Sequence, residues 1–267
     1  MVPRLEGHLP ELLPFARELA DAYHRETITT WEAWHERISL WWTPERLETA
    51  DRVIPGWRLM ATHPFGSNLV HVTSVVVALL MLPEYAELTP DQQRLVEWIV
   101  IFHDVAKRRQ LGVRDHVHTF RSAAITGGAL SALGFPVNGD DEAVLRWSRL
   151  TYDAATTNAK GEPIPDNAKL PAITDGIRAL FGWDTSTGLI VRSVLHHQTI
   201  TNVEDDPQAA ELTPDEIRRY ISPALLPILR VFYLADCDAW VLFDLDNRSQ
   251  WRQSTLNVFA AVARLLA

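Results

Sequence analysis

Five histidines and two aspartates, His71, His103, Asp104, His118, His196, His197 and Asp236, are the residues of this 267-residue chain best suited to act together. Imidazole nitrogen and carboxylate oxygen bind divalent transition metals, with manganese, iron, cobalt, nickel and zinc suited to different degrees. One or two such ions would polarise a bound oxygen and lower the pKa of water, so the set predicts a metal-dependent enzyme. No other grouping in the chain supplies a reaction centre as directly, and the lone Cys237 cannot form an internal disulfide.

The elements that must carry these residues read as helices from end to end. Apolar residues recur at three and four, and no convincing alternating strand interrupts them, so the expected fold class is all-α. Thr43-Pro44-Glu45, Thr89-Pro90-Asp91 and Thr213-Pro214-Asp215 each place a capping hydroxyl before a first-turn proline and an acid, marking three helix starts. Further helices are predicted near 8–24, 28–40, 66–82, 116–133, 140–151, 170–181, 186–198 and 248–266. Thr156 to Pro171 and Thr199 to Leu212 break the pattern and read as loops. Each falls between candidate ligands, as a lid over a pocket or as an ordinary surface connection.

Helical phase ranks the candidates. Asp236 lies in the run Leu225 to Phe243, where Leu225, Leu229, Phe232, Trp240 and Phe243 fall within about 40° of it at 100° per residue. A carboxylate on an apolar stripe needs a cation or strong donors, because burying it unpaired is costly or forces it to take up a proton. Asp238 points roughly 200° away and is the poorer ligand. His71 shares its face with Val75, Ala78 and Leu82, although a lone inward histidine can equally be a core residue satisfied by carbonyls.

His103 and Asp104 close an apolar helix read from Leu95 to Ala106. They differ by about 100°, yet a long imidazole and a short carboxylate can meet an ion between their faces, and the two oxygens of Asp104 could bridge two ions. Lys107, three residues on, can orient Asp104 or meet a substrate phosphate, with a surface ion pair as the alternative. Asp115 is a candidate helix cap. His116 and His118 behind it project about 200° apart, so one of the two serves the site.

Composition bounds the rest. A 47% hydrophobic content suffices for a large core, in one large domain or two small ones. The opening MVPRLEGHLP lacks the plan of a secretory signal, which makes the cytoplasm the expected compartment. The longest apolar run, Val75 to Leu82, is far short of the roughly 20 residues that cross a bilayer, so no membrane association is expected. A net charge of -9 disfavours stable binding of duplex nucleic acid. It remains compatible with a small anionic phosphate-containing substrate, since a metal centre supplies its own positive field. A homo-oligomer is left open.

Taken in chain order, these residues resemble the HD-domain metal-dependent phosphohydrolase superfamily, an all-α fold named for an adjacent His-Asp pair. His71 is similar to the first family histidine, and Phe102-His103-Asp104-Val105-Ala106-Lys107 to the segment that carries the pair and a following lysine. His118, opening HTFRSAAITGGALSALGF, takes the place of a third histidine; Leu195-His196-His197 resembles the double-histidine segment of binuclear members, and Ala235-Asp236 the terminal aspartate. The resemblance implies one metal held by His71, His103, Asp104 and Asp236, and a second held by Asp104, His118, His196 and His197. Gln198 to Val203 lacks the glycine-tyrosine-proline motif of the cyclic-dinucleotide branch, which disfavours that branch.

The chain is accordingly expected to be a single all-α domain over 1–267, with an HD core at about 66–243, an N-terminal extension at about 1–60 and a C-terminal helix at about 248–266. Trp31, Trp34, Trp41, Trp42 and Trp57 lie in that extension and read as its packing onto the core, in preference to a base-stacking or dimer surface. The favoured activity is hydrolysis of a nucleotide or similar small phosphate ester. Asp104 and Lys107 would serve in catalysis, and Arg109 and Arg121 would grip phosphate oxygens, with solvated surface as the competing reading for such arginines. Two rivals share the ligands: a diiron oxygenase of the same superfamily, and a non-catalytic metal-binding sensor or interaction protein.

Overall fold

The computed structural model of the protein describes residues 2–61, 67–108, 115–159, 161–200 and 211–267. Among these residues lie fourteen α-helices: α1 Leu12–His24, α2 Trp31–Trp41, α3 Pro44–Val53, α4 Trp57–Ala61, α5 Ser67–Met81, α6 Pro83–Ala86, α7 Pro90–Phe102, α8 His118–Ala129, α9 Asp141–Tyr152, α10 Leu170–Leu180, α11 Ser186–His196, α12 Pro214–Tyr220, α13 Leu226–Trp240 and α14 Leu245–Leu266. The fold is all-α, with one small ribbon among the described residues, and no helix among them is long and apolar enough to cross a membrane.

The three threonine-proline starts cap as their chemistry requires. Thr43, Thr89 and Thr213 accept from the amides of Arg46, Gln92 and Glu216 at 3.4, 3.4 and 3.3 Å. Gln92 and Glu216 reach back to the amides of Thr89 and Thr213, completing two capping boxes. α14 begins at Leu245, earlier than the expected 248, because Asp244 caps it through the amide of Asn247 at 3.1 Å. α1 begins at Leu12, later than the expected 8, after a 3₁₀ turn at Leu5–Gly7.

Three other expectations are corrected. The segment read as a loop from Thr156 holds an antiparallel pair, β1 Ala155–Thr157 with β2 Pro163–Pro165, and a 3₁₀ turn at Asn167–Lys169. Three-residue strands are too short to show alternation, and prolines are tolerated in a ribbon with unpaired edges. The helix read to Ala106 ends at Phe102, with turns over the next four residues. Asp115 is not a cap, since Val117 precedes α8; its carboxylate instead accepts from the Arg108 amide at 2.8 Å and from Arg121 at 3.2 Å.

The helices that carry the candidate ligands are direct neighbours. α5 packs against α13, α1 and α7; α11 packs against α8 and α7; α13 also meets α7 and α14. The N-terminal segment belongs to the same core, with Leu13, Trp34, Ile38 and Trp57 buried in one cluster with Val72, Phe102, Leu195 and Phe232. Its indoles also make specific bonds to the helix that bears His71. Trp34 donates to Ser74 at 2.8 Å and Trp42 to Thr73 at 3.0 Å, so two buried donors are satisfied where the extension meets α5.

Candidate metal centre

Asp104 stands at the middle of the assembled residues and is 1% exposed. Its oxygens face different histidines. Oδ2 lies 3.8 Å from His71 Nε2 and 3.6 Å from His103 Nε2, while Oδ1 lies 3.0 Å from His118 Nε2 and 3.7 Å from His197 Nε2. Two buried groups that could hold a metal ion result, His71-His103-Asp104 and Asp104-His118-His197, with Asp104 common to both. Asp236 adjoins the first, its Oδ1 2.9 Å from His71 Nε2 and 3.9 Å from His103 Nε2.

The turn after α7 makes this convergence. His103 caps the helix with helical φ −57° and ψ −41°, and Asp104 follows in the turn, so the last helical residue and the first after it both reach the site. The Ala106 amide donates to Ser122 on α8 at 3.1 Å, and the Val105 backbone rests against Gly56. Gly56 has φ +109°, and a Cβ there would lie 2.9 Å from the Val105 carbonyl oxygen and Cγ2, so only glycine permits the approach.

Three imidazoles are oriented by one local device. His103 Nδ1 meets the Val100 carbonyl at 2.7 Å, His197 Nδ1 meets the Val194 carbonyl at 2.7 Å, and His118 Nδ1 meets the Asp115 carbonyl. A carbonyl only accepts, so Nδ1 is the donor and the neutral ring carries its lone pair on Nε2, turned into the site. Val100 and Val194 lie in the last turns of α7 and α11, where carbonyls lack intrahelical donors and the helix dipole is negative. The same bonds thus finish two helices and aim two ligands.

The centre is electron-rich. Burial lowers the His103 pKa to about 4 and also lowers that of His118, so both rings are neutral at neutral pH. Burial alone would raise the Asp104 carboxyl, but the Lys107 ammonium outweighs it, with His103 and His118 adding to this in their protonated forms, and holds it well below the ordinary range. Asp236 is likewise brought down to about 2, burial being outweighed by its bond and attraction to His71. His118 Nε2 and His197 Nε2 are 3.1 Å apart, lone pair facing lone pair in the neutral forms, and buried His103 Nε2 has no hydrogen-bond partner. A divalent cation in each group would relieve these features, so the donors fit a metal.

Other predicted residues are placed as follows. Lys107 Nζ bonds Asp104 Oδ2 at 2.5 Å, which makes it part of the centre. Arg121 is tied to Asp115 and lies over the Tyr152 ring, 5.9 Å from its centroid. His196 is buried but belongs to neither group; its Nδ1 is 3.2 Å from Thr199 Oγ1 and its ring stacks on Tyr220. His116 is also buried and in neither group. Asp238 lies away from the centre, as its phase requires, but it too is buried, paired at 2.8 Å with Arg248 from α14. Arg109 and residues 201–210 of the second loop lie outside the described residues.

Sequence reasoning missed Ser122, Gly56 and the carbonyl of Asp115. The only trace of the last is its spacing: it precedes its histidine by three residues, as Val100 and Val194 precede theirs. Comparison with models of known protein families, with curated proteins and with solved structures finds no match.

Proposed function

We propose that the protein is a metal-dependent phosphohydrolase of the HD-domain type, acting on a nucleotide or another small phosphate ester. The observation that carries the reading is the division of the two Asp104 oxygens between two buried histidine groups. His71, His103, Asp104 and Asp236 would hold one ion, and Asp104, His118 and His197 a second. Divalent ions bound there would supply Lewis acidity toward a phosphoryl oxygen and a water of lowered pKa.

The chain's own residues do the rest. Carbonyl bonds fix three imidazoles before any ligand arrives, so little reorganisation is needed on binding. Lys107, bonded to Asp104 and 24% exposed, keeps that carboxylate ionised and carries a cation toward solvent, where a phosphate oxygen can exchange for Asp104 as its partner. The 1% exposure of His103, His118 and His197 excludes bulk water from the inner end. In this reading Arg121 acts on the His118 segment through Asp115.

The test is phosphate release from a panel of nucleotides and generic phosphate esters with manganese, cobalt or nickel, run beside Asp104→Ala. Release by the wild type and none by the variant is expected. Release that survives the substitution sinks the assignment. Tightly bound iron, with oxygen consumed on an organic substrate and no phosphate released, would make the chain an oxygenase; metal binding without turnover would make it a sensor.

A further inference from the structure

Exposure around the centre is graded. The side chains of His103, Asp104, His118 and His197 are 1% exposed, whereas Asp236 is 20% and Lys107 24% exposed. Trp240, one turn beyond Asp236 on α13, is 53% exposed. Asp236, Lys107 and Trp240 therefore mark the side from which solvent and substrate reach the donors.

Trp240 was expected on a buried stripe, and the stripe does turn inward at Leu229 and Phe232, both fully buried. The indole instead lies on the His71 imidazole, with centroids 4.4 Å and planes 27° apart, and keeps much of its surface in water. The Lys107 ammonium is 5.9 Å from the indole centroid. A single exposed aromatic residue usually needs no explanation. This one lies on a candidate ligand, at the mouth of a buried polar centre, beside a cation. A flat π surface next to an ammonium and a metal-binding centre offers a stacking face for a ring and charge for the anion attached to it.

We propose that Trp240 is a stacking platform, and that the centre takes phosphate esters whose organic group is a planar aromatic ring, a nucleobase or an aryl group. The phosphate half of this inference rests on the phosphohydrolase reading; the ring half rests on the placement and exposure of Trp240. Selectivity for the aromatic group then resides in Trp240, and metal binding does not.

The experiment compares adenosine 5′-monophosphate, phenyl phosphate and ribose 5-phosphate on manganese-loaded protein, by calorimetric binding and by phosphate release. The wild type should prefer the nucleotide to the sugar phosphate by at least about tenfold, equivalent to about 1.4 kcal/mol. Trp240→Ala should bring that ratio to within about twofold of unity, and Trp240→Phe should keep most of it. Trp251→Ala, exposed on α14 and outside the centre, should leave the ratio unchanged. Using a ratio cancels any general weakening from losing the support of His71.

A comparable gain for phenyl phosphate identifies any aryl group as the ligand; a gain for the nucleotide alone identifies the nucleobase. A ratio unchanged in Trp240→Ala, or a wild type that prefers ribose 5-phosphate, overturns the inference. The two readings fail separately. A ratio that collapses in Trp240→Ala without phosphate release from any ester keeps the platform and removes the hydrolase. Hydrolysis indifferent to the ring does the reverse.

Discussion

Sharing of Asp104 between two donor groups makes thermal stability a counter of bound ions. A metal that binds the folded chain and not the unfolded one adds about 1.4 kcal/mol of stability per site for each tenfold rise in free metal above its Kd. Unfolding entropy near 2.1 cal/mol/K per residue gives about 0.56 kcal/mol/K for 267 residues. One filled site should therefore raise Tm by about 2.5 °C per decade of metal, and two by about 5 °C. The assay is thermal unfolding of chelator-stripped protein over several decades of manganese, followed by circular dichroism. The wild type should show the two-site slope. His197→Ala, which removes a ligand of the second group alone, should show the one-site slope, and Asp104→Ala, which disables both, should show almost none. A slope in Asp104→Ala equal to that of the wild type, or a wild type indifferent to metal, would refute the reasoning.

Other outcomes follow from single contacts. Gly56→Ala places a methyl 2.9 Å from the Val105 carbonyl at φ +109° and should cost about 2–4 kcal/mol by urea denaturation, with weaker metal binding because the strained turn carries Asp104. Ser122→Ala strands the Ala106 amide and should cost about 1–3 kcal/mol; a loss below about 0.5 kcal/mol would show that the amide finds another acceptor. Metal-free protein should weaken as pH falls. Burial brings His103 from an ordinary 6.5 to about 4, and His196, by burial first and Arg192 second, to about 3. The unfolded chain therefore binds the extra protons, so these histidines leave stability intact above about 6.5 and erode it as pH drops toward those values. The two carboxyls act mainly below their ordinary 3.8, so they add to the loss only at the acid end of that range. A denaturation midpoint that stays flat from pH 7 to pH 5 would contradict the burial of these rings.

Much of the site was legible because helices write their faces into the sequence. Asp236 points toward His71 and Asp238 toward Arg248, as their phases require. His103 and Asp104 meet in one group across their offset of about 100°, as a long imidazole and a short carboxylate allow, although the helix ends sooner than its apolar pattern. At His196-His197 the pairing came from the family resemblance, and phase did not separate the two. Both lie at the end of α11, but the Val194 carbonyl claims the second ring and Thr199 with Tyr220 the first. Adjacent identical residues look interchangeable in a sequence; different neighbours separate them in space.

The sequence by itself determined the all-α class, the threonine-proline starts and the identity of the metal-capable residues, because caps and periodicity act over a few residues. Only the tertiary structure decided which oxygen of Asp104 faces which histidines, which ring nitrogen each histidine presents, and that Trp240 stands half in water at the mouth of the centre. The division of the Asp104 oxygens and the placement of Trp240 depend on neighbours from other helices, α8 against α11 and α5 against α13, which leave no local mark on the chain; the ring nitrogens depend on carbonyls three residues back, and a sequence does not show which way a ring turns.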